Sequence, residues 1–233
     1  MVNITHLKSD LKQMQQEPIM LLFALLSLLL IGVFKLIITY GTPIIFDLVH
    51  LNLLDYEVYI LSMVYMLQPM MLGMVIGFFM LDEKDAKIFE LLRVTPLGLS
   101  GYLINRLLIP NLLIIVYTFI GYLTLGQHIH SAILLIPIII YLSIQTVGVG
   151  LFIAIVSEDK VKGLTYAKAV SGLMLFGFVN LMPIAFVKDL GRLVPQYYLT
   201  ETLVNPSLVV LLTGLIIHCT WLLLICRSAL KRL

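Results

Sequence analysis

Three sets of residues in this chain have types and spacings that could do chemistry. His128 and His130 form an H-x-H pair, Ser100 and Ser171 stand beside glycines, and Asp82, Glu83, Lys84, Asp85, Lys87, Glu90 and Arg93 crowd into twelve positions. A metal centre needs three or four ligands, and no further ligands accompany the histidine pair at a usable spacing, so it reads as an exposed loop. A serine nucleophile needs a base and a group to orient that base; neither serine has one at membrane depth. No acidic pair sits within an apolar run to suggest a proton relay. The phosphate-cradling pattern G-x-x-x-x-G-K-[ST] is absent from the sequence. No catalytic residue, metal ligand or bound cofactor is therefore assigned. The charge cluster remains, and its chemistry is that of a surface held by a partner.

The elements that position it are set by composition. Of the 233 residues, 61% are hydrophobic and 12% charged, and the mean hydropathy is +1.06. A soluble domain averages roughly a quarter charged residues, so the chain reads as a membrane protein. Its net charge of +2 is too small to argue for nucleic acid. Spanning a bilayer takes about 20 apolar residues in a helix. Six runs qualify, at 19–40, 58–80, 103–125, 131–156, 164–187 and 207–226. The expected fold is all-α: one transmembrane domain over 1–233. The first run lacks a small-residue cleavage site and reads as a retained helix. Cys219 and Cys226 lie two helical turns apart, too far to bridge, and read as packing residues.

Lysine and arginine favour the cytoplasmic side. Twelve of the fifteen fall in the N-terminal tail, the second and fourth loops with their margins, and the C-terminal tail. Lys35, Lys188 and Arg192 fall on the other side. Both termini are therefore expected in the cytoplasm, which requires an even number of spans. Residues 3–17 repeat Ile4, Leu7, Leu11 and Met14 on one helical face and read as an amphipathic interfacial helix. Pro18 opens the first span. The segment 188–206 is the longest external connection; its Pro195, Tyr197 and Tyr198 suit the interface, and a short helix there can dip into the outer leaflet.

The charged segment 81–106 is too polar to lie in lipid. Asp82 is expected to N-cap a helix, with Asp85 at the third position as a weaker capping box. Ile88, Leu91 and Leu92 form an apolar stripe with Phe89 beside it. Pro96 disfavours helix at Thr95 and suits the first turn of a new one, so Thr95 is expected to cap a segment leading through Gly98 and Gly101 into the third span. A helix, a proline break and a helix entry make a shaped knob.

The stretch GFFMLDEKDAKIFELLRVTPLGLSGYLINRLL resembles the region between the second and third spans of type-2 ABC-transporter permeases, the membrane subunits of ATP-driven exporters. Asp82, Glu83 and Asp85 match the acidic exit from the second helix. Glu90 and Leu91 match the Glu-x-Leu-like stretch, Thr95, Pro96, Leu97 and Gly98 the Thr-Pro-Leu turn, and Tyr102 the tyrosine after it. The motif covers about thirty residues, and the layout fits the rest of the chain. The resemblance implies that this region is a coupling helix seated on a separate ABC ATPase, which carries the ATP and magnesium. It implies contact through Asp82, Glu83, Glu90, Arg93, Thr95, Pro96 and Gly98, and a smaller contact through Ser157 to Gly163, including Glu158, Asp159 and Lys160. It further implies two ATPase copies, a second permease copy (most simply a homodimer), and a multi-pass place in the plasma membrane.

Polar groups inside the spans are few. Gln68 beside Pro69, Gln145 beside Thr146, Asn111, Asn180 and His218 can line a path or bond a neighbouring helix. Pro69 lies among Met63, Met66, Met70, Met71 and Met74, and methionine-rich surfaces adapt to varied apolar partners. Gln68, Met71, Gln145 and Asn180 are the expected path residues for an amphipathic or hydrophobic cargo: a drug-like compound, lipid or peptide. The rival reading is a membrane protein that uses no ATP, such as a secondary transporter, channel or assembly scaffold.

Overall fold

The computed structural model describes residues 17–92, 98–126 and 131–232, together with Lys12. Among these residues every regular element is helical and six helices are long and apolar enough to cross a membrane, as an all-α polytopic protein requires. Helix α1 starts at Pro18, whose missing N–H costs nothing at a first turn, and runs to Leu36. It continues through a π-helical turn, Ile37–Gly41, into Thr42–Val49, and ends at His50 in a left-handed conformation. Then come α2 (Glu57–Asp85), the short α3 (Ile88–Leu92) and α4 (Gly98–Leu125). Next are α5 (Leu135–Val156) and α6 (Lys160–Ser171), which passes into a 3₁₀ run, Gly172–Leu181. Two short helices, α7 (Ala185–Gly191) and α8 (Pro195–Val204), precede the last span, α9 (Leu208–Arg232).

Helix α2 is the central post. Of its most apolar window 83% is buried and of that of α5 67%, against 11% for α9 and 22% for α1, so the outer spans turn much of their apolar surface outward. Lipid tails are as apolar as leucine, so association of helices in a membrane rests on close packing and interhelical hydrogen bonds. Both are present. Gly73 and Gly77 of α2 lie against α5 so closely that a Cβ on either would stand 2.7 Å from the side chain of Val149 or Ile153. Gly150 of α5 does the reverse, with Ile76 at 2.6 Å. Three tyrosines tie other pairs: Tyr65 Oη donates to the Thr118 carbonyl (2.9 Å), Tyr117 to that of Ala24 (3.1 Å) and Tyr141 to that of Leu211 (2.6 Å). Pro69 and Pro110 sit inside α2 and α4, as neighbouring helices permit.

Side-chain pairs fix which helix ends share a face. Lys160 at the start of α6 reaches Glu17 before α1 (3.3 Å) and Asp82 at the end of α2 (2.9 Å). Glu83 meets Tyr102 and Arg106 near the start of α4. Ala229 of α9 belongs to the buried cluster that holds Phe89 and Tyr102. Six crossings therefore begin and end at one face, the charged one.

Three expectations are corrected. Asp82 does not N-cap a new helix: α2 runs on through it to Asp85, because no Gly or Pro interrupts the chain there, and the break comes at Lys87, which is left-handed (φ 55°). The fifth span does not reach 187: its helical path ends at Leu181, before the Met182-Pro183 break. The first span does not stop at 40 but reaches Val49. The expected amphipathic helix at 3–17 falls outside the described residues except for Lys12 and Glu17.

The connection before α9 folds inward. Pro195, Gln196, Leu199, Thr200, Thr202 and Leu203 of α8 are buried, and Thr200 Oγ1 donates to Ser62 Oγ of α2 (3.2 Å). The indole N–H of Trp221 donates to the Leu193 carbonyl at 3.0 Å. Trp221 lies about 20 Å along α9 from its start, at 1.5 Å per residue. The turn between α7 and α8 thus reaches roughly halfway down the bundle and returns, a re-entrant hairpin. Such non-helical backbone at membrane depth is tolerated only where protein covers it; α9 covers it through Trp221 and the 3₁₀ run through Val179, on which Gly191 lies.

Candidate functional site

The charged face is built from the ends of four helices. After the left-handed Lys87, α3 leaves α2 rotated, so its stripe divides. Phe89 turns inward and packs edge-to-face on Tyr102, ring centres 5.5 Å apart, while Leu91 stands 63% exposed. Glu90 is exposed beside it. Beneath α3 the Glu83 carboxylate accepts from Tyr102 Oη and the Arg106 guanidinium. Arg106 is 5% exposed and its guanidinium carbon lies 4.2 Å from the centre of the Phe79 ring. A carboxylate, a guanidinium and two aromatic rings thus seal the base of the knob, with the charges paired and the cation over a ring face. Glu83 is therefore turned into the chain and supports the face from below.

The fourth loop joins the second. Asp159 N-caps α6, its Oδ1 accepting from the Lys162 N–H at 2.7 Å. Lys160 then bridges to Asp82, Glu158 pairs with Lys162, and Val161 stands 74% exposed. Asp82, Glu158, Asp159 and Lys160 are thereby brought into one cluster, with Glu90 and the exposed Leu91 on the adjoining α3. Gly98, left-handed at φ 60°, opens α4 in a conformation that suits glycine. Arg93, Thr95 and Pro96 lie outside the described residues.

Farther along the bundle is a partly open cavity of about 360 Å³ between α5, α8 and α9, touched also by Met70 of α2, Val170 of α6 and Leu173 of the 3₁₀ run. Its walls are almost wholly apolar, with Phe152 and Trp221 the largest side chains and Gln145, Gln196, His218 and Ser228 the polar ones. Tyr141 stacks on His218, ring centres 4.3 Å apart, and Gly214 lets it lie flat there, since a Cβ would meet Tyr141 Oη at 2.6 Å. His218 Nδ1 lies 2.7 Å from the Gly214 carbonyl and Nε2 lies 2.8 Å from Gln145 Nε2.

Of the expected path residues, only Gln145 lines this cavity. Gln68 is fully buried in α2, with neither amide atom hydrogen-bonded among the described residues. Met71 is half-buried, and its neighbour Met70 reaches the cavity instead. Asn180 donates to Glu201, which also accepts from Asn205 at 3.1 Å, at the face opposite the charged one. Sequence reasoning missed Gln196, Trp221 and the small-residue contact of α2 with α5. The last had a signal in Gly73-x-x-x-Gly77; Gln196 had none, because α8 is too short to announce its depth.

In comparison with known proteins, residues 10–226 match the family described as "Fluoroquinolones export permease protein Rv2686c-like". Neither the curated proteins nor the solved structures give a match.

Proposed function

We propose that this chain, which belongs to the Rv2686c-like fluoroquinolone export permease family, is the membrane subunit of an ATP-driven exporter, worked by a separate ABC ATPase docked on the charged face. Membership of an export-permease family supports the reading of the chain as a transport subunit. The observation that carries the finer reading is the joined face itself. Asp82 and Lys160 lock the second and fourth loops together at 2.9 Å, the Glu83–Arg106 pair stiffens the base, and Glu90, Leu91 and Val161 project from it. An exposed leucine and valine among charges, at a helix end, suit a protein contact: an apolar anchor within a polar rim.

The path from that face to the cavity is short and rigid. Asp82 and Glu83 are in the last turns of α2, and α2 is pressed onto α5 through Gly73, Gly77 and Gly150. Helix α5 supplies Gln145, Val149 and Phe152 to the cavity. Movement of α3 by closing ATPases would therefore shift one wall of the cavity, exchanging two packings of the bundle. The cargo binds one packing better than the other, and ATP supplies the bias. Two permease copies would meet two ATPases, with both chain termini in the cytoplasm. An amphipathic, drug-like aromatic compound suits the apolar interior, in line with the fluoroquinolones of the family's name.

The test is co-purification with the candidate ATPase and measurement of its ATP hydrolysis. Leu91→Asp and Glu90→Lys should each abolish association while leaving the permease monodisperse. Unchanged association and unchanged ATPase stimulation in both variants would refute docking at this face.

A further inference from the structure

The cavity is a groove with one closed end and one open end. Helices α6 and α9 both pack on α5 rather than on one another, so α5 forms a floor between two walls. Val170 and Leu173 line one wall; Trp221, Leu224, Ile225 and Ser228 line the other. Pro195 and Gln196, at the start of α8 in the re-entrant hairpin, close the groove at mid-depth beside His218. Toward the charged face it runs to Val156, the last residue of α5, and to Ser228. Ala229, the next residue, belongs to the cluster that holds Phe89 and Tyr102. From His218 to Ser228 is ten residues, about 15 Å of helix. That is half of a hydrocarbon core of about 30 Å, so the groove is one leaflet long. Trp221 and Leu224 line it and are exposed, so its open side faces the bilayer.

The length of the groove is apolar and its mouth is charged. No Lys, Arg, Asp or Glu lines it, so a charged group drawn inside would lose its hydration without a counter-charge. At the deep end Gln145 and His218 are bonded to one another, and the side-chain oxygens of Gln145 and Gln196 are buried. At the other end Ser228 lines the groove and is exposed, as is Arg227 beside it. Neither side chain has a hydrogen bond or ion pair among the described residues. Trp221, Ile225, Ser228 and Arg232 follow at intervals of four, three and four along α9, the spacing of one helical face. Arg232 is therefore one turn beyond Ser228 on that face. Across the mouth, Lys162 and Glu158 pair with each other and Asp159 is engaged as the cap of α6. A guanidinium beside a free hydroxyl suits a phosphate.

We infer that the groove binds one acyl chain of an anionic phospholipid from the leaflet at the charged face, with its phosphate at Ser228 and Arg227. The chain lies along α5 and ends against Pro195 and Gln196. The one-leaflet length selects the chain, and the charge at the mouth selects the headgroup. A zwitterionic lipid would bring a second cation up to the arginines. Lipid binding needs no ATPase and stands apart from the export reading; a cargo using the same groove would have to displace the chain.

Trp221 is the single tryptophan of the chain and lines the groove, so bromine on a chain seated there quenches its fluorescence. The experiment places the full-length permease in phosphatidylcholine nanodiscs. These are doped with either phosphatidylglycerol or phosphatidylcholine carrying bromine on the same acyl chain. Half-maximal quenching should come at an about five-fold lower mole fraction of brominated phosphatidylglycerol, the effect of one basic contact at a membrane surface. Arg227→Gln combined with Arg232→Gln should remove most of that preference. Val170→Phe, which fills the groove, should also reduce it. Equal quenching by the two lipids in the native chain would overturn the inference. So would quenching by neither, which would mean that protein, such as a second copy, covers the groove. A preference unchanged in either variant would overturn it too, leaving lipid drawn to the basic face in general. The native comparison remains a test even if a variant does not fold. Failure here leaves ATPase docking untouched, and failure of docking leaves the lipid result standing.

Discussion

At the scale of single residues, Arg106 shows how position in sequence and position in space part company. Counted along the chain it is one more positive charge marking a cytoplasmic margin. In the fold it is 5% exposed, sits over Phe79, and reaches back twenty-three residues to Glu83. Removing one member of a buried ion pair leaves the other uncompensated, at a cost of about 3–5 kcal/mol, whereas replacing both by apolar groups of similar size is often neutral. Arg106→Met should therefore lower the melting temperature of the purified protein clearly, and Glu83→Leu combined with Arg106→Met should recover part of the loss. If the double variant melts no higher than Arg106→Met alone, the pair is not what holds the knob. The same logic separates what was legible at this scale from what was not. The crowded acids were visible as a segment too polar for lipid, but spacing could not say that Phe89 turns inward and Leu91 outward. That follows from the left-handed Lys87, a backbone choice with no glycine to advertise it.

At the scale of elements, the six spans were legible because a run of about 20 apolar residues has few other uses. Two features were hidden for a common reason: each depends on contact between segments distant in sequence. A dip by a short helix was expected of 188–206, but the depth of the α7–α8 hairpin was not, because it is too short to register as a span. The Gln145–His218 bond joins residues seventy-three apart. The α2–α5 contact lies between these cases, since Gly73 and Gly77 one turn apart are a readable signal for close approach. The structure sharpens it into a contrast between glycines. Gly77→Leu would force a side chain into Ile153, where a Cβ alone stands at 2.7 Å, whereas Gly32 of α1 has nothing within 4 Å of that point. Overpacking typically costs about 1–3 kcal/mol or more, and Gly-to-Ala in an open helix gains up to about 1 kcal/mol. Gly77→Leu should thus reduce both yield and melting temperature, and Gly32→Ala should leave them equal or slightly raised. Equal behaviour of the two variants in size-exclusion and thermal-unfolding profiles would show that this contact does not order the bundle.

For the whole molecule, parity is the property that everything else depends on. Glu17, Asp82, Lys160 and the end of α9 gather at one face, while Asn180, Glu201 and Asn205 gather at the other. With most of the described lysines and arginines at the first face, the positive-inside tendency predicts a cytoplasmic place for that face. The re-entrant hairpin is where this could go astray, because α7 and α8 reach mid-depth. If they crossed as a further span, α9 would be inverted and Arg227 would lie outside. The bond from Trp221 to Leu193 argues against that, since it holds the turn about halfway along α9 and returns α8 to the face it left. The prediction uses a membrane-impermeant maleimide on intact cells, with Cys219 and Cys226 first changed to Ser. Asn205→Cys should label from outside. Lys162→Cys and Arg227→Cys, all three positions being exposed, should label only after the membrane is opened. Outside labelling of Arg227→Cys alone would mean the hairpin crosses. Outside labelling of both Lys162→Cys and Arg227→Cys would invert the molecule and remove the charged face from any cytoplasmic ATPase.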